Sequence, residues 1–269
     1  ISSLGMLIAI IATIGLGSES INWLMIGIGI IIGTIIGAFF AIKVEMTQMP
    51  QLVAIFNGFG GAASALVACS EFGVGNDTFT SVAIALSIIV GTLTFTGSFI
   101  AFGKLQGFVS GQPITFGGQQ AINAILALIL ITSGVLMIMG GKYVMPAFYV
   151  LIGLAALLGI LLVIPIGGAD MPVVISLLNS YSGVAAAMTG FVLVTSNPAA
   201  GNALIICGSL VGASGIILTK IMCKGMNRSL ANVIFGAVGG EVAASTGSGK
   251  EVNIKSYSTE EAAMIFDAA

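Results

Sequence analysis

Met145-Pro-Ala-Phe-Tyr-Val-Leu-Ile-Gly-Leu-Ala-Ala-Leu-Leu-Gly-Ile-Leu-Leu-Val-Ile-Pro-Ile166 contains no charged side chain. A helix rises 1.5 Å per residue, so ~20 such residues cross the ~30 Å hydrocarbon layer of a bilayer. The run is apolar on every side rather than alternating, which argues against a barrel strand. The segment therefore reads as a membrane-spanning helix.

Working outward, similar segments cover residues 3–17, 21–42, 51–70, 79–103, 119–140, 172–194 and 201–223. Turn-forming and polar residues separate them: Ser18 to Ser20, Lys43 to Pro50, Glu71 to Asp77, Gly103 to Gly118, Gly140 to Lys142, Gly167 to Asp170 and Ser196 to Gly201. The ten acids and eight bases are expected in these breaks, at span ends or in the tail, as the cost of charge in lipid requires. The pattern predicts an all-α integral membrane protein, a bundle of about eight transmembrane helices. It occupies residues 1–228, and residues 229–269 follow as a short soluble C-terminal tail.

Composition agrees. Hydrophobic residues make up 57% of the chain and charged residues 7%, against about 25% charged in soluble domains. Mean hydropathy is +1.15. The net charge of −2 and the lack of a basic patch exclude nucleic acid as a partner. Histidine is absent, which removes the usual neutral-pH proton carrier and the commonest metal ligand. Cys69, Cys207 and Cys223 lie far apart in or beside apolar runs, without metal-binding spacing, and read as packing residues. Lys43, Lys104, Lys220, Lys224 and Arg228 fall on one side if the spans alternate, which predicts that this side is cytoplasmic or matrix.

Glycine is abundant, with 38 residues, and small residues let helix backbones approach closely in lipid. Gly208, Gly212 and Gly215 form such a face on the last span. The tail contains a small, polar, linker-like stretch, Ala243 to Lys250. Ser258 and Glu261 then match a capping box. The chain opens without Met and closes where a helix begins, and it reads as a piece of a longer polypeptide.

Two segments echo one another. Met49-Pro50 leads to Asn57-Gly-Phe-Gly-Gly-Ala-Ala63, and Met171-Pro172 leads to Asn179-Ser-Tyr-Ser-Gly-Val-Ala185. An acid precedes each Pro (Glu45, Asp170), and an Asn stands seven residues after each. Pro is tolerated in the first helical turn, and seven residues further is ~10 Å deeper. A primary amide at that depth needs a partner. It can glue helices through an Asn–Asn or Asn–backbone bond, or line a polar relay with Ser64, Ser98, Ser176, Ser180, Tyr181 and Ser182. Thr92, Thr94 and Thr96 could extend that face or bond back to their own helix. These residues alone leave open a secondary transporter of a small solute built on repeated helix pairs.

Five stretches carry a resemblance: Lys43-Val-Glu-Met-Thr-Gln-Met-Pro50, Thr94-Phe-Thr-Gly-Ser-Phe-Ile-Ala-Phe-Gly-Lys104, Gly167-Gly-Ala-Asp-Met-Pro172, Leu178-Asn-Ser-Tyr-Ser-Gly183 and Met222-Cys-Lys-Gly-Met-Asn-Arg-Ser229. They resemble the beta subunit of proton-translocating NAD(P) transhydrogenase over nearly the whole chain. The resemblance implies the membrane share of an enzyme that couples proton movement to hydride transfer between NAD(H) and NADP(H). Those cofactors would bind in partner domains, with no catalytic or metal residue and no cofactor on this chain. Implied partners are an alpha subunit with an NAD(H) domain and further transmembrane helices, the chain's own C-terminal NADP(H) domain, the lipid bilayer, and a second copy of the complex in a dimer. The implied location is the bacterial cytoplasmic membrane, or the mitochondrial inner membrane in a eukaryote. Asn179 matches a membrane-embedded Asn of the channel. Asn57 stands where many members carry an ionisable His. Asp170 and Arg228 match charged positions near the NADP(H) domain and are candidates for coupling, with Glu45, Gly208, Gly212 and Gly215.

Overall fold

A computed structural model describes residues 22–73 and 77–235, with four single positions before them (4, 7, 8 and 11). Apart from those four positions the predicted span 3–17 lies outside the described residues, as does the tail beyond 235 with the Ser258–Glu261 capping box. Seven long helices are present: α1 Trp23–Lys43, α2 Met49–Ser70, α3 Thr78–Gln106, α4 Gln119–Met139, α5 Val144–Val163, α6 Met171–Leu193 and α7 Pro198–Gly225. A short helix, α8 Leu230–Phe235, follows. Among the described residues, those seven are long and apolar enough to cross a membrane.

The packing is inverted relative to a water-soluble bundle. On α2 the inward positions are Ala54, Asn57, Gly58, Gly61, Ser64, Ala65 and Ala68. Phe56, Phe59 and Leu66 point outward. On α7 the inward set is Gly201, Gly208, Gly212, Gly215, Thr219 and Cys223, with Leu210, Ile217 and Ile221 outside. Both inward sets recur at helical spacing. Small and hydroxyl-bearing residues inside with large apolar residues outside is the arrangement lipid selects, because close packing rather than burial of apolar surface holds such helices together. The chain is a multi-pass membrane protein.

Helices α3 and α6 form the centre. Helix α3 packs against α2, α5, α6 and part of α4, and α6 packs against α2, α3 and α7. Ile84, Ile88, Leu151 and Leu158 anchor one apolar cluster; Met171, Val173, Val174 and Leu178 anchor a second. The two echoing segments share a local form. A single 3-10 turn, Met46–Gln48 or Gly168–Asp170, runs straight into a helix with Pro in its first turn.

One expectation fails at the end of α3. The helix runs three residues past the predicted boundary to Gln106, and Gly107 closes it in the left-handed region at φ 80°. Lys104, expected in a surface break, is only 5% exposed. Its ammonium donates to the carbonyls of Gln112 (3.2 Å), Ile164 (2.6 Å) and Ile166 (2.7 Å). Two carbonyls just beyond α5 and one from the 107–118 loop replace the water this charge would otherwise need.

Candidate functional site

The central helices bring Asn57, Ser98 and Ser182 together. Asn57 Nδ2 donates to Ser98 Oγ at 3.1 Å. Ser182 Oγ lies 2.6 Å from Asn57 Oδ1 and 2.8 Å from the main-chain oxygen of Asn179. A serine hydroxyl has one proton, so Ser182 serves either the Asn57 amide or the Asn179 carbonyl at a given moment. Asn57 is 8% exposed and Ser98 fully buried. A buried amide with both ends engaged satisfies the rule that polar groups in hydrocarbon find partners.

Asn179 joins this group through its backbone. Its side chain is half-buried and makes no hydrogen bond among the described residues. The two amides, expected to pair or to line one face, are therefore linked through Ser182. Ser180 points elsewhere: its hydroxyl is fully buried and donates to Gly212 O at 2.6 Å. Ser176 likewise faces α7, donating to Gly215 O and accepting from Thr219 Oγ1 at 3.1 Å. Tyr181 packs against the apolar cluster containing Leu178. A crevice lined by Gly60, Ser182, Gly183, Ala186, Cys207 and Gly208 opens beside Ser182.

The small face of α7 is seated on α6. A Cβ at Gly208 would stand 2.5 Å from Ala187 N, and one at Gly215 would stand 2.8 Å from Ser180 Cα. At Gly212 the nearest neighbour is Val184 Cγ2 at 3.3 Å. Asp170 and Arg228 meet directly, with Arg228 Nη1 to Asp170 Oδ2 at 2.9 Å. Asp170 Oδ1 is buried with no hydrogen-bond partner among the described residues. Glu45 is exposed, and among the described residues its carboxylate accepts from Thr47 Oγ1 at 3.4 Å, so the two acids of the echo occupy different environments. Among the described residues no group of His, Cys, Asp or Glu could hold a metal ion.

Sequence reasoning missed a second buried group. Ser87 Oγ and Thr189 Oγ1 lie 2.7 Å apart, and both reach the carbonyls of Ser64 and Ala185. Ser64 was expected on the polar face; its own hydroxyl turns back to Gly60 O, and its carbonyl supplies the contact. Single hydroxyls on apolar helices give no sequence signal, because most simply bond to their own helix.

A polytopic helical bundle with a hydrogen-bonded amide and hydroxyls at its central interface defines a membrane domain with a polar interior. Its family is specific: the model of the NAD(P) transhydrogenase beta subunit matches residues 1–269, and the chain belongs to that family. Two proteins of Rhodospirillum rubrum, each named NAD(P) transhydrogenase subunit beta, are 46% identical to it over 278 residues. That match covers 98% of this chain and 58% of each relative. The chain thus spans little more than half the length of these relatives.

Proposed function

We propose that this chain is the membrane part of an NAD(P) transhydrogenase, coupling proton movement to hydride transfer between NAD(H) and NADP(H). The observation that carries the reading is the Asn57–Ser98–Ser182 group at the α2/α3/α6 interface of a chain in this family. The nucleotide sites lie outside these residues: in an NAD(H) domain on an alpha subunit, and in an NADP(H) domain whose start follows a linker within residues 229–269. The assembly sits as a dimer of complexes in a bacterial cytoplasmic membrane, or a mitochondrial inner membrane, with the Lys104 and Arg228 ends of the helices toward the cytoplasm or matrix.

An amide does not hold a proton near neutral pH. Asn57 therefore orders hydroxyls and water rather than storing charge. When the Ser182 proton points to Asn57 Oδ1, the chain of bonds runs from Ser182 through Asn57 to Ser98. When it points to Asn179 O and the amide turns over, the direction reverses. Either direction presents hydroxyl oxygens and protons to water beside the group, so a proton moves along that water while the amide only donates and accepts hydrogen bonds and keeps its own two protons. NADP(H) binding biases the Arg228–Asp170 pair, α7 shifts on α6, and access to the site changes sides; this is a two-state coupling.

The test is reconstitution of the full complex in sealed vesicles. Asn57→Leu should abolish NADPH-linked proton uptake while hydride exchange between bound nucleotides, which requires no proton crossing, continues. Wild-type proton uptake in that variant would sink the proposal.

A further inference from the structure

The second hydroxyl group lies on the same three helices as the first and in register with it. Ser182 meets Asn57 and Thr189 meets Ser64, both at a separation of 125 residues, so α2 and α6 run parallel. Helix α3 runs the opposite way, with Ser98 at the first group and Ser87 at the second. Seven residues along α2 and α6 separate the groups, ~10 Å at 1.5 Å per residue. The first stands eight residues before the C-terminal end of α3, ~12 Å, and the second nine residues after its start, ~14 Å. Eleven residues of α3, ~16 Å, lie between Ser87 and Ser98, so the groups divide that helix into roughly equal thirds.

Between them the helices close. A Cβ at Gly61 would stand 2.7 Å from Gly91 O, and one at Gly91 would stand 2.5 Å from Gly61 O. Thr94, beside Gly61, turns its hydroxyl back to Val90 O at 2.7 Å. Thr96 sits against Gly159 on the far side of α3 and bonds to its own helix.

Ser87 is fully buried and Thr189 is 3% exposed. Two hydroxyl protons are shared among two hydroxyl oxygens and two carbonyls. Either Ser87 donates to Thr189, which donates to a carbonyl, or the order reverses. Gluing helices requires one such bond; this arrangement has two interchangeable directions, as the Asn57 group does.

We infer that Ser87 and Thr189 form a second station of the proton path, on the far side of the Gly61–Gly91 constriction from Asn57. A proton delivered by a hydronium to one hydroxyl oxygen is matched by one released from the other to a second water, so the pair ends with the same two protons and no charge, its direction reversed. The constriction keeps the two stations apart in this state. This inference rests on the proton-path reading above.

The experiment compares Asn57→Leu with the double variant Ser87→Ala/Thr189→Val in the full complex in sealed vesicles. The double variant should lower proton uptake at least about tenfold, the effect of a barrier raised by ~1.4 kcal/mol. Exchange between bound nucleotides should stay within about twofold of wild type, a barrier change of under ~0.5 kcal/mol. Restoring one hydroxyl as Thr189→Ser, with Ser87 intact, should recover uptake. If Asn57→Leu blocks uptake while the double variant pumps normally, the second station is overturned and the proposed function stands. Normal uptake in Asn57→Leu overturns both. Should the double variant fail to assemble, Thr189→Val alone carries the same test, because Ser87 keeps two carbonyl acceptors.

Discussion

The hydroxyl of Ser182 reaches the side-chain oxygen of Asn57 at 2.6 Å across the α2/α6 interface. Ser182 is half-buried, while Asn57 is 8% exposed. Removing the hydroxyl as Ser182→Ala strands Asn57 Oδ1 inside the bundle. An unsatisfied buried acceptor costs about 1–3 kcal/mol. The expected outcome is a lower thermal midpoint in detergent together with slowed proton uptake. Ser182→Thr, which keeps the hydroxyl, should restore uptake; a Thr variant as slow as Ala would count against the hydrogen bond as the cause.

Glycine substitutions should sort by contact rather than by helix. Gly208→Ala drives a methyl against the Ala187 backbone, 2.5 Å from its nitrogen, and backbone cannot move aside as a side chain can. Overpacking of this kind costs about 1–3 kcal/mol. Gly60 has open space where its Cβ would stand, so Gly60→Ala should leave stability unchanged or slightly higher. Melting curves of the two variants, measured side by side, decide the matter. Equal midpoints would mean that α7 is not clamped on α6 at Gly208.

The seven described spans were readable because each is an apolar run long enough to cross the bilayer, and their predicted and observed ends differ by at most three residues. What packing adds was less readable. The motif echo aligns Asn57 with Asn179, yet the register places Asn57 level with Ser182, nearly one turn further. The sequence holds the repeat, but the rotation of each helix about its axis chooses which neighbour meets which. Lys104 looked like a surface charge because its acceptors, Ile164 O and Ile166 O, lie 60 and 62 residues away. The Arg228 partner of Asp170 is similarly remote, 58 residues along the chain.

Arg228 is half exposed on its side chain, whereas Asp170 is mostly covered, at 51% and 12%. The two ends of this pair should therefore differ in their response. In Asp170→Asn, the freed guanidinium turns to water at small cost. In Arg228→Gln, a largely buried carboxylate loses its counter-charge, and breaking a covered pair in this way is the costlier direction, by at least about 1 kcal/mol here. Thermal midpoints should rank wild type, then Asp170→Asn, then Arg228→Gln, with the double variant near Asp170→Asn. A reversed order would mean that Asp170 is held by something other than Arg228.

Lys104→Met should loosen the end of the bundle at the C-terminus of α3. The ammonium ties the 107–118 loop, through Gln112, to the segment leading to Asp170. Hydrogen bonds to a charged group are worth about 1.5–3 kcal/mol each, offset here by the cost of burying the charge, so a net loss of about 2 kcal/mol is expected. Faster backbone hydrogen exchange at 107–118 and 164–170 should accompany it, with α4 unaffected. Wild-type exchange in both segments would show that the loop is held by its own backbone bond, Gly168 N to Gly111 O at 2.7 Å.

At the opposite end, Asp77 caps α3. Its carboxylate accepts from Thr80 N at 3.2 Å. Hydrogen bonds from the Thr80 side chain and backbone hold its pKa below the ordinary carboxylate value. A carboxyl depressed in the folded state stabilises the fold above its unfolded pKa, ~3.9. That contribution fades as pH falls through the lower folded value. Asp77→Asn keeps a capping oxygen but cannot titrate. Melting from pH 7 down to pH 3 should therefore show wild type losing its margin over Asp77→Asn below pH ~4, with Asp77→Ala lower than both at neutral pH. Parallel curves for wild type and Asp77→Asn across that range would show that the cap does not depend on the charge.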